Sequence, residues 1–394
     1  MNSVESHSKT ITLLLILFCQ CSQSKEPPKA FGTANHVIFL NMKGGMSQYE
    51  TFNFHEDAYK GISDPPKSIP TSIEGLSICE WLPKTAALMD KCMLFRTVAG
   101  PPSHGDNVEQ YSLHTGYTPR LTFRHPYIGS WCALQSEGQL PYYRLNGGCE
   151  KGSAFFPEHL AKPIVISNPN EAIDTMSRAK TWNRNSHLLG ILNGQPSVMT
   201  RLFSDPEALE CLNLAEEPDE SRSLYGDHDF GKACLLARRL VENDKASFVE
   251  VALDGWDEDG ENYLPAVKNL FGQLDDGFSA LITDLDTRDL LDETLVVIRT
   301  DLGRHAYFHN GKRRLTTYFS PAVVAGGGII PGKIIGETGK LGQNPVRPLI
   351  SVKQFNGIIG RALRIDIHKN AYSPNGRPVT IGDSRDRLST EVFR

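Results

Sequence analysis

The chain has 394 residues, of which 40% are hydrophobic and 22% charged, a composition typical of a globular protein with a large core. Its formal net charge of −5 at pH 7 provides no basic field that would attract nucleic acid or anionic lipid. Nucleic-acid binding is therefore not expected, and membrane contact is expected only through a lipid anchor.

The N-terminal segment predicts export. An apolar run from Ile11 to Phe18 follows Lys9 and is too short to span a bilayer, which is typical of the core of a signal peptide. Cys19 and Cys21 end this run and precede a polar stretch that resembles the tether of a bacterial lipoprotein. We assign residues 1–24 to a signal peptide, of either the cleaved or the lipoprotein type. The mature protein is then expected in the periplasm or anchored to a membrane of the cell envelope.

Strands and helices alternate along the rest of the chain. The first strand, His36 to Leu40, ends at Gly44 and Gly45. We predict further strands at 93–98, 163–167, 247–253, 294–299 and 321–325, and helices at 78–90, 231–242, 263–288 and 352–363. This order favours an α/β fold in which helices cover both faces of a largely parallel sheet. We predict one domain over 31–370, followed by a polar C-terminal tail at 371–394.

The cysteines beyond the signal segment allow two interpretations. They are even in number, so they could pair in an oxidising compartment. However, Cys79, Cys92 and Cys234 lie in apolar patterns that are typical of buried free thiols. No C-x-x-C spacing indicates a zinc site.

Acidic residues follow two neighbouring strands of the predicted sheet. Asp257 and Asp259 come after the strand at 247–253, and Asp301 and His305 come after the next strand. Because parallel strands end at one edge of a sheet, these side chains could meet around a divalent cation that prefers oxygen ligands and one imidazole. Residues of this kind also cap helices and solvate turns, so the pattern alone leaves both interpretations open.

A second candidate region is the loop that contains Ser103, His104 and Asp106, which leads into a helix. The amide groups at the N-terminus of a helix favour an anion, so an anionic ester could bind there. The alternative is that Asp106 or Asn107 only caps the helix.

Several segments together resemble one known family. They are Val37–Leu40 followed by Gly44–Phe52, then Ala233–Glu242, Gly255–Asp257, Leu291–Val297 and Ala325–Gly328. In this order they are similar to the sulfatase-like bacterial family catalogued as domain of unknown function 1501, within the alkaline phosphatase superfamily. The resemblance implies an alkaline-phosphatase-like, three-layer fold. It also implies hydrolysis of phosphate or sulfate esters at a metal site.

The resemblance also shows where this chain departs from the pattern of the family. Asp257 matches the aspartate of G-W-D-T-H-G, whereas Asp259 stands at the histidine, and Asp301 replaces the glutamate of G-E-F-G-R. The Asp-His pair of a later motif falls on Arg314 and Leu315, which are not metal ligands. At the first strand end, Asn41 stands where sulfatases place metal-binding aspartates.

Two functions follow from this comparison. The first is a hydrolase with a degenerate site for zinc, manganese or calcium, with the metal ligands Asn41, Asp257, Asp259, Asp301 and His305 and the catalytic residues Ser103, His104 and Asp106. The second is a non-catalytic envelope protein that retains an anion-binding pocket, formed by Arg304, Arg313 and Arg314. The ligand expected in either case is a small anionic ester or a sulfated glycan. A carbohydrate-binding surface in the aromatic segment 117–156 is a third possibility.

Overall fold

The computed structural model describes residues 31–105, 107–136, 140–147, 152–171, 202, 205–258, 263–383 and 388–394. The predicted signal peptide and the site candidates Asp106 and Asp259 lie outside these residues. Within these ranges every helix is too short or too polar to serve as a membrane span.

The strands and helices have the following bounds. The strands are β1 His36–Met42, β2 Ser68–Pro70, β3 Ser77–Cys79, β4 Cys92–Ala99, β5 Tyr142–Leu145, β6 Ile164–Ile166, β7 Phe248–Leu253, β8 Thr294–Thr300, β9 Gly303–His309, β10 Lys312–Thr316, β11 Phe319–Ala325, β12 Ile334–Ile335, β13 Glu337–Thr338, β14 Pro345–Arg347, β15 Ala371–Tyr372 and β16 Pro378–Val379. The α-helices are α1 Pro83–Ala86, α2 Val108–Thr115, α3 Ile128–Gln135, α4 Glu158–Ala161, α5 Pro206–Cys211, α6 Asp219–Leu224, α7 Asp229–Glu242, α8 Tyr263–Thr287, α9 Val352–Ala362 and α10 Ser389–Val392.

Within the described residues, the central sheet has eight strands in the order β12-β4-β11-β8-β1-β7-β5-β6. All run parallel except β11, which is antiparallel to its neighbours β4 and β8. Every residue of β1, β7, β8 and β11 is buried, as expected for strands that are covered on both faces. The predicted α/β class with a largely parallel sheet is confirmed.

Helices cover both faces of this sheet. On one face, the Phe39 ring lies 6.0 Å from the His114 ring of α2, and Phe95 packs edge-on against Phe355 of α9 with centroids 5.4 Å apart. On the other face, Ile38 and Leu40 join the core cluster that contains the buried residues of α7 and α8. Because side chains alternate along a strand, β1 contributes to both layers, and the fold has three layers.

Residues 78–90 do not form the predicted helix. Ile78 lies in β3, which pairs with β2 in a separate two-stranded sheet, and only Pro83–Ala86 is α-helical before a 3₁₀ turn at Met89–Lys91. Pro83 has no amide hydrogen and occupies the first turn of its helix, so a helix that began at Ile78 would be interrupted there. The apolar residues of this segment are divided between the short strand β3 and the short helix α1.

The described C-terminal residues, 371–383 and 388–394, include buried apolar side chains in the segment for which the sequence predicts a polar tail. Val379, Ile381, Val392 and Phe393 are buried. The main chain of the tail also bonds to the turn after β11, with 2.7 Å between the Ile330 amide and the Val392 carbonyl. The spacing of these apolar residues has neither the period of a helix nor that of a strand, so sequence periodicity did not predict their burial.

The cysteines that the structure describes are buried and unpaired: Cys79, Cys92, Cys132, Cys211 and Cys234. Burial raises the pKa of Cys79 to about 12, which keeps the thiol protonated and unreactive near neutral pH. The expectation of buried free thiols at Cys79, Cys92 and Cys234 is confirmed.

Candidate functional site

Asp301 anchors the loop that follows β1. Its carboxylate is 4% exposed and accepts hydrogen bonds from the amides of Gly44 and Gly45, at 3.1 and 2.9 Å, and from Gln110 Nε2 at 2.7 Å. Burial raises the pKa of Asp301, and these hydrogen bonds oppose that rise. The Asp301 carboxylate therefore holds the loop after β1 in place, and we call this set of contacts the clamp.

Two glycines let this loop approach its neighbours closely. Gly44 and Gly45 have φ angles of 108° and 85°, which only glycine adopts readily. A Cβ on Gly44 would lie 2.6 Å from the amide nitrogen of Asp257, and one on Gly45 would lie 2.4 Å from Leu315. The loop after β1 thus lies between the carboxylate of Asp301 and the main chain of Asp257, and these segments meet at one edge of the sheet. The side chain of Asp257, however, is exposed.

Arg304 completes the clamp from the other side. It is 1% exposed and donates to four main-chain carbonyls, including Gly45 at 2.8 Å and Arg313 at 2.7 Å; the other two are those of Gly44 and Trp256. A guanidinium group with this many protein acceptors ties together the loops after β1 and β7 and the strand β10. Arg304 therefore does not form the predicted anion pocket in this structure.

The other predicted arginines and His305 lie on the hairpin of β9 and β10. Arg313 is fully buried, with Nε 2.6 Å from Glu50 Oε1 and its guanidinium 4.2 Å from the Phe308 ring centroid. It fastens the hairpin to the domain and does not face a cleft. Arg314 and His305 are exposed, and the His305 ring lies edge-on to Tyr318 with centroids 6.3 Å apart. The side chains of Arg314 and His305 thus point to solvent, whereas that of Arg313 lies in the core.

A buried carboxylate that the sequence analysis did not select lies beneath the site. Glu250 of β7 is 1% exposed and accepts from Arg144 Nη2 and Asn41 Nδ2, both at 2.8 Å, and from the Tyr142 hydroxyl at 2.7 Å. Burial opposes its ionisation, but Arg144 and then His114 hold the pKa of Glu250 well below its usual range. A glutamate inside an otherwise apolar, buried strand is rare, and this feature of the sequence could have identified Glu250.

Gln110 connects this carboxylate to Asp301. Its Oε1 accepts from Asn41 Nδ2 at 3.0 Å, while its Nε2 donates to Asp301 at 2.7 Å. Gln110 and His114 are four residues apart on α2 and so share the helix face that lies over the sheet. The result is a continuous polar network from Glu250 through Asn41 and Gln110 to Asp301.

The donors present do not fit a divalent cation. Asn41 turns its amide nitrogen to Glu250 and Gln110, and the carboxylate of Asp301 receives main-chain and side-chain donors. Asp257 and His305 are exposed. Within the ranges that the structure describes, no three His, Cys, Asp or Glu side chains are grouped so that they could hold a metal ion.

Arg299 of β8 is a buried cation that sequence reasoning also missed. It is 1% exposed, its Nη1 donates to Ser320 Oγ at 2.9 Å, and its Nε has no partner. The Phe355 ring centroid lies 5.3 Å from its guanidinium. Burial lowers the pKa of Arg299 to about 9, against the charge of Asp301, and no carboxylate in the described part of the chain forms an ion pair with it. The one available signal was an arginine within an apolar strand.

Ser103 and His104 are exposed in the loop before α2. Neither makes a hydrogen bond to Asp301 or Arg299 among the described residues. The side chain of Asn107, which precedes the helix, makes no capping hydrogen bond. The assignment of Ser103 and His104 as catalytic residues stays a prediction, as does that of Asp106.

The family model described as protein of unknown function (DUF1501) matches residues 34–180 and 195–393. The chain belongs to this family. The resemblance drawn from the sequence motifs is thereby confirmed. No protein of curated function matches this DUF1501 member.

Solved structures similar to this DUF1501 member include a lipoteichoic acid synthase from Listeria monocytogenes, with 10% identity and a TM-score of 0.44 over 92% of this chain and 78% of that one. A protein of the alkaline phosphatase superfamily from Vibrio parahaemolyticus has 13% identity and a TM-score of 0.41, over 94% and 80% of the two chains. A phosphonate monoester hydrolase from Silicibacter pomeroyi has 13% identity and a TM-score of 0.41, over 83% and 73%.

Proposed function

We propose that this DUF1501 member is an exported, sulfatase-like protein that binds a small sulfated or phosphorylated group without a resident divalent cation. The observation that carries the proposal is Arg299, a buried guanidinium with no carboxylate partner among the described residues. Removing a cation from water costs several kcal/mol unless an opposite charge compensates it. A bound anion would supply that charge.

The chemistry and place of Arg299 suit this role. The planar guanidinium fork matches sulfate and phosphate oxygens, and its bidentate hydrogen bonds to an anion are among the strong ones in proteins. Arg299 lies near the carboxyl end of β8, in register with Asn41 of β1. The carboxyl edge of a parallel sheet is where α/β proteins bind ligands.

The neighbouring carboxylates support an anion site rather than a cation site. Glu250 is neutralised by Arg144, and Asp301 is held by amide groups and Gln110. The hydrogen bonds of both carboxylates are thus satisfied within the protein, whereas the Nε of Arg299 has no partner.

The test is the binding of sodium sulfate and sodium phosphate to the purified protein, by calorimetry and thermal unfolding. We expect the wild type to be stabilised by about 2.7 kcal/mol at a concentration of 100 times the dissociation constant. Arg299→Met should abolish this response. Arg314→Met, which changes an exposed arginine on the same side of the domain, should retain it.

The opposite pattern, in which Arg314→Met abolishes binding and Arg299→Met does not, would place the anion site on the hairpin and contradict the proposal. Metal content distinguishes the hydrolase alternative. That alternative requires about one tightly held ion per chain and turnover of an aryl sulfate or phosphate, whereas we expect substoichiometric metal and no turnover.

Export is supported by the apolar run from Ile11 to Phe18 and the cysteines that end it. We expect mass spectrometry of the native protein to find these residues removed and the mature form in the periplasm or on a membrane. Recovery of a soluble cytosolic form that still begins at Met1 would contradict this part of the proposal.

A further inference from the structure

The carboxamide of Gln110 lies between two buried residues that the sequence analysis assigns to a metal site. Its oxygen accepts from Asn41 Nδ2 at 3.0 Å, and its nitrogen donates to Asp301 Oδ2 at 2.7 Å. Asn41 is 1% exposed and Asp301 is 4% exposed. One neutral side chain thus fills the gap between two groups that could otherwise approach the same cation.

We propose that Gln110 replaces the cation at this position and excludes a metal ion from it. Its NH₂ group presents partial positive charge to the Asp301 carboxylate, as a metal ion would. Its carbonyl oxygen accepts the Asn41 amide and turns that donor inward. The Asn41 amide nitrogen and the Asp301 carboxylate are therefore both hydrogen-bonded to Gln110 with no ion present.

The Asn41 oxygen is buried and has no hydrogen-bond partner, so it is the one acceptor of this pair that Gln110 leaves unsatisfied. The helix that carries Gln110 is also held in place, because Asn356 Nδ2 of α9 donates to the carbonyl of Leu113 at 3.4 Å. Gln110 is thus a positioned group on a packed helix.

The isosteric substitution Gln110→Glu tests the proposal. It replaces the NH₂ donor by a carboxylate oxygen and sets two carboxylates side by side, so the variant should melt at a lower temperature than the wild type in EDTA. Addition of MnCl₂ or CaCl₂ should raise its Tm by about 3 °C or more, because a dication can bridge the two carboxylates. The wild type should not respond.

The matched control is Gln273→Glu on α8, whose partly buried side chain donates to Asn269 Oδ1 at 2.7 Å. This variant makes the same chemical change where the hydrogen-bond partner is a carboxamide and not a carboxylate, and it should show no response to metal. A metal-induced rise in Tm of the wild type equal to that of Gln110→Glu would overturn the proposal. Absence of any response in Gln110→Glu would do so as well.

If Gln110→Glu does not fold, the double variant Asn41→Asp with Gln110→Ala tests the proposal instead. It empties the gap and adds a carboxylate beside Asp301, so it should bind Mn²⁺ about tenfold or more tightly than the wild type in calorimetry. Equal affinities would reject the proposal. Because this test uses a cation and Gln110, and the anion test uses sulfate and Arg299, each proposal can fail while the other stands.

Discussion

Two buried arginines in different layers of the molecule differ in whether carboxylates of the protein balance their positive charge. Arg238 of α7 is fully buried and pairs with Glu217, Glu242 and Asp284, the last with 3.0 Å between Nε and Oδ2. Arg299 of β8 is equally buried, but its Nη1 donates to the neutral hydroxyl of Ser320. The first charge is balanced by carboxylates of the protein, whereas the second has no carboxylate partner among the described residues, and we propose that an anionic ligand balances it.

The electrostatics of the two residues differ accordingly. Burial alone would lower the pKa of both guanidinium groups. For Arg238 the hydrogen bond that it donates to Glu217 and the charges around it reverse that effect and raise the pKa above its ordinary value. For Arg299 the pKa stays lowered, to about 9, because Asp301 opposes the burial only partly. A buried charge therefore has a structural role at Arg238, and at Arg299 it is the basis of the proposed anion site.

The largest expected effect is a loss of stability on removal of Arg238, the arginine whose charge the protein balances. Arg238→Met leaves Glu217 and Asp284 without their shared partner, so the free energy of unfolding should fall by about 3–5 kcal/mol in urea. The control is Arg222→Met, because the Arg222–Asp219 pair is exposed and should be worth less than about 1 kcal/mol. A loss below 1 kcal/mol for Arg238→Met would show that its ion pairs do not stabilise the fold.

The next effect concerns Glu250 and its dependence on pH. Because its folded-state pKa is held below the unfolded value of about 4.3, its stabilisation is present above that pH and is lost as the pH falls toward the folded pKa. Glu250→Gln should cost about 2 kcal/mol at pH 7 and flatten the loss of stability in acid. Asp254→Asn, at an exposed carboxylate, is the control. An unchanged acid profile in Glu250→Gln would contradict the assigned ion pair.

The third effect is a gain in stability, and it tests the proposal that the charge of Arg299 has no counter-ion within the protein. In buffer without sulfate or phosphate, Arg299→Met should raise the free energy of unfolding by about 1–2 kcal/mol, because a buried charge without a counter-ion is replaced by an apolar side chain. Arg299→Lys, which keeps the charge, should bring no gain. Destabilisation by Arg299→Met in anion-free buffer would break the comparison between the two arginines.

The smallest effect is expected at the rim of the same edge. Lys43 and Asp254 form an ion pair between the loops after β1 and β7, and their side chains are 44% and 61% exposed. Solvent screens such a pair, so Lys43→Ala should change stability by less than about 1 kcal/mol. A larger loss, measured in urea, would mean that this rim holds the loops together more strongly than Asp301 and Arg304 do.

Much of the layered fold could be predicted because its signals are local. The apolar strands β1, β7 and β8 and the helices α7 and α8 each carry their own period, which neighbours in the sequence determine. The same principle located the strand ends, and with them the edge where Asp257, Asp301 and the loop after β1 meet. The segment 78–90 failed because Pro83 divides an apolar pattern that two short elements share.

The sequence by itself determined the class of fold, the family and the edge of the sheet at which to look for a site. Only the tertiary structure decided which polar groups share that site, because their hydrogen bonds join residues far apart in the chain. Gln110 lies 191 residues from Asp301, and Asn41 lies 209 residues from Glu250. The role of a buried charge depends on the groups that surround it, so Arg238 and Arg299 could be told apart only once those groups were in place.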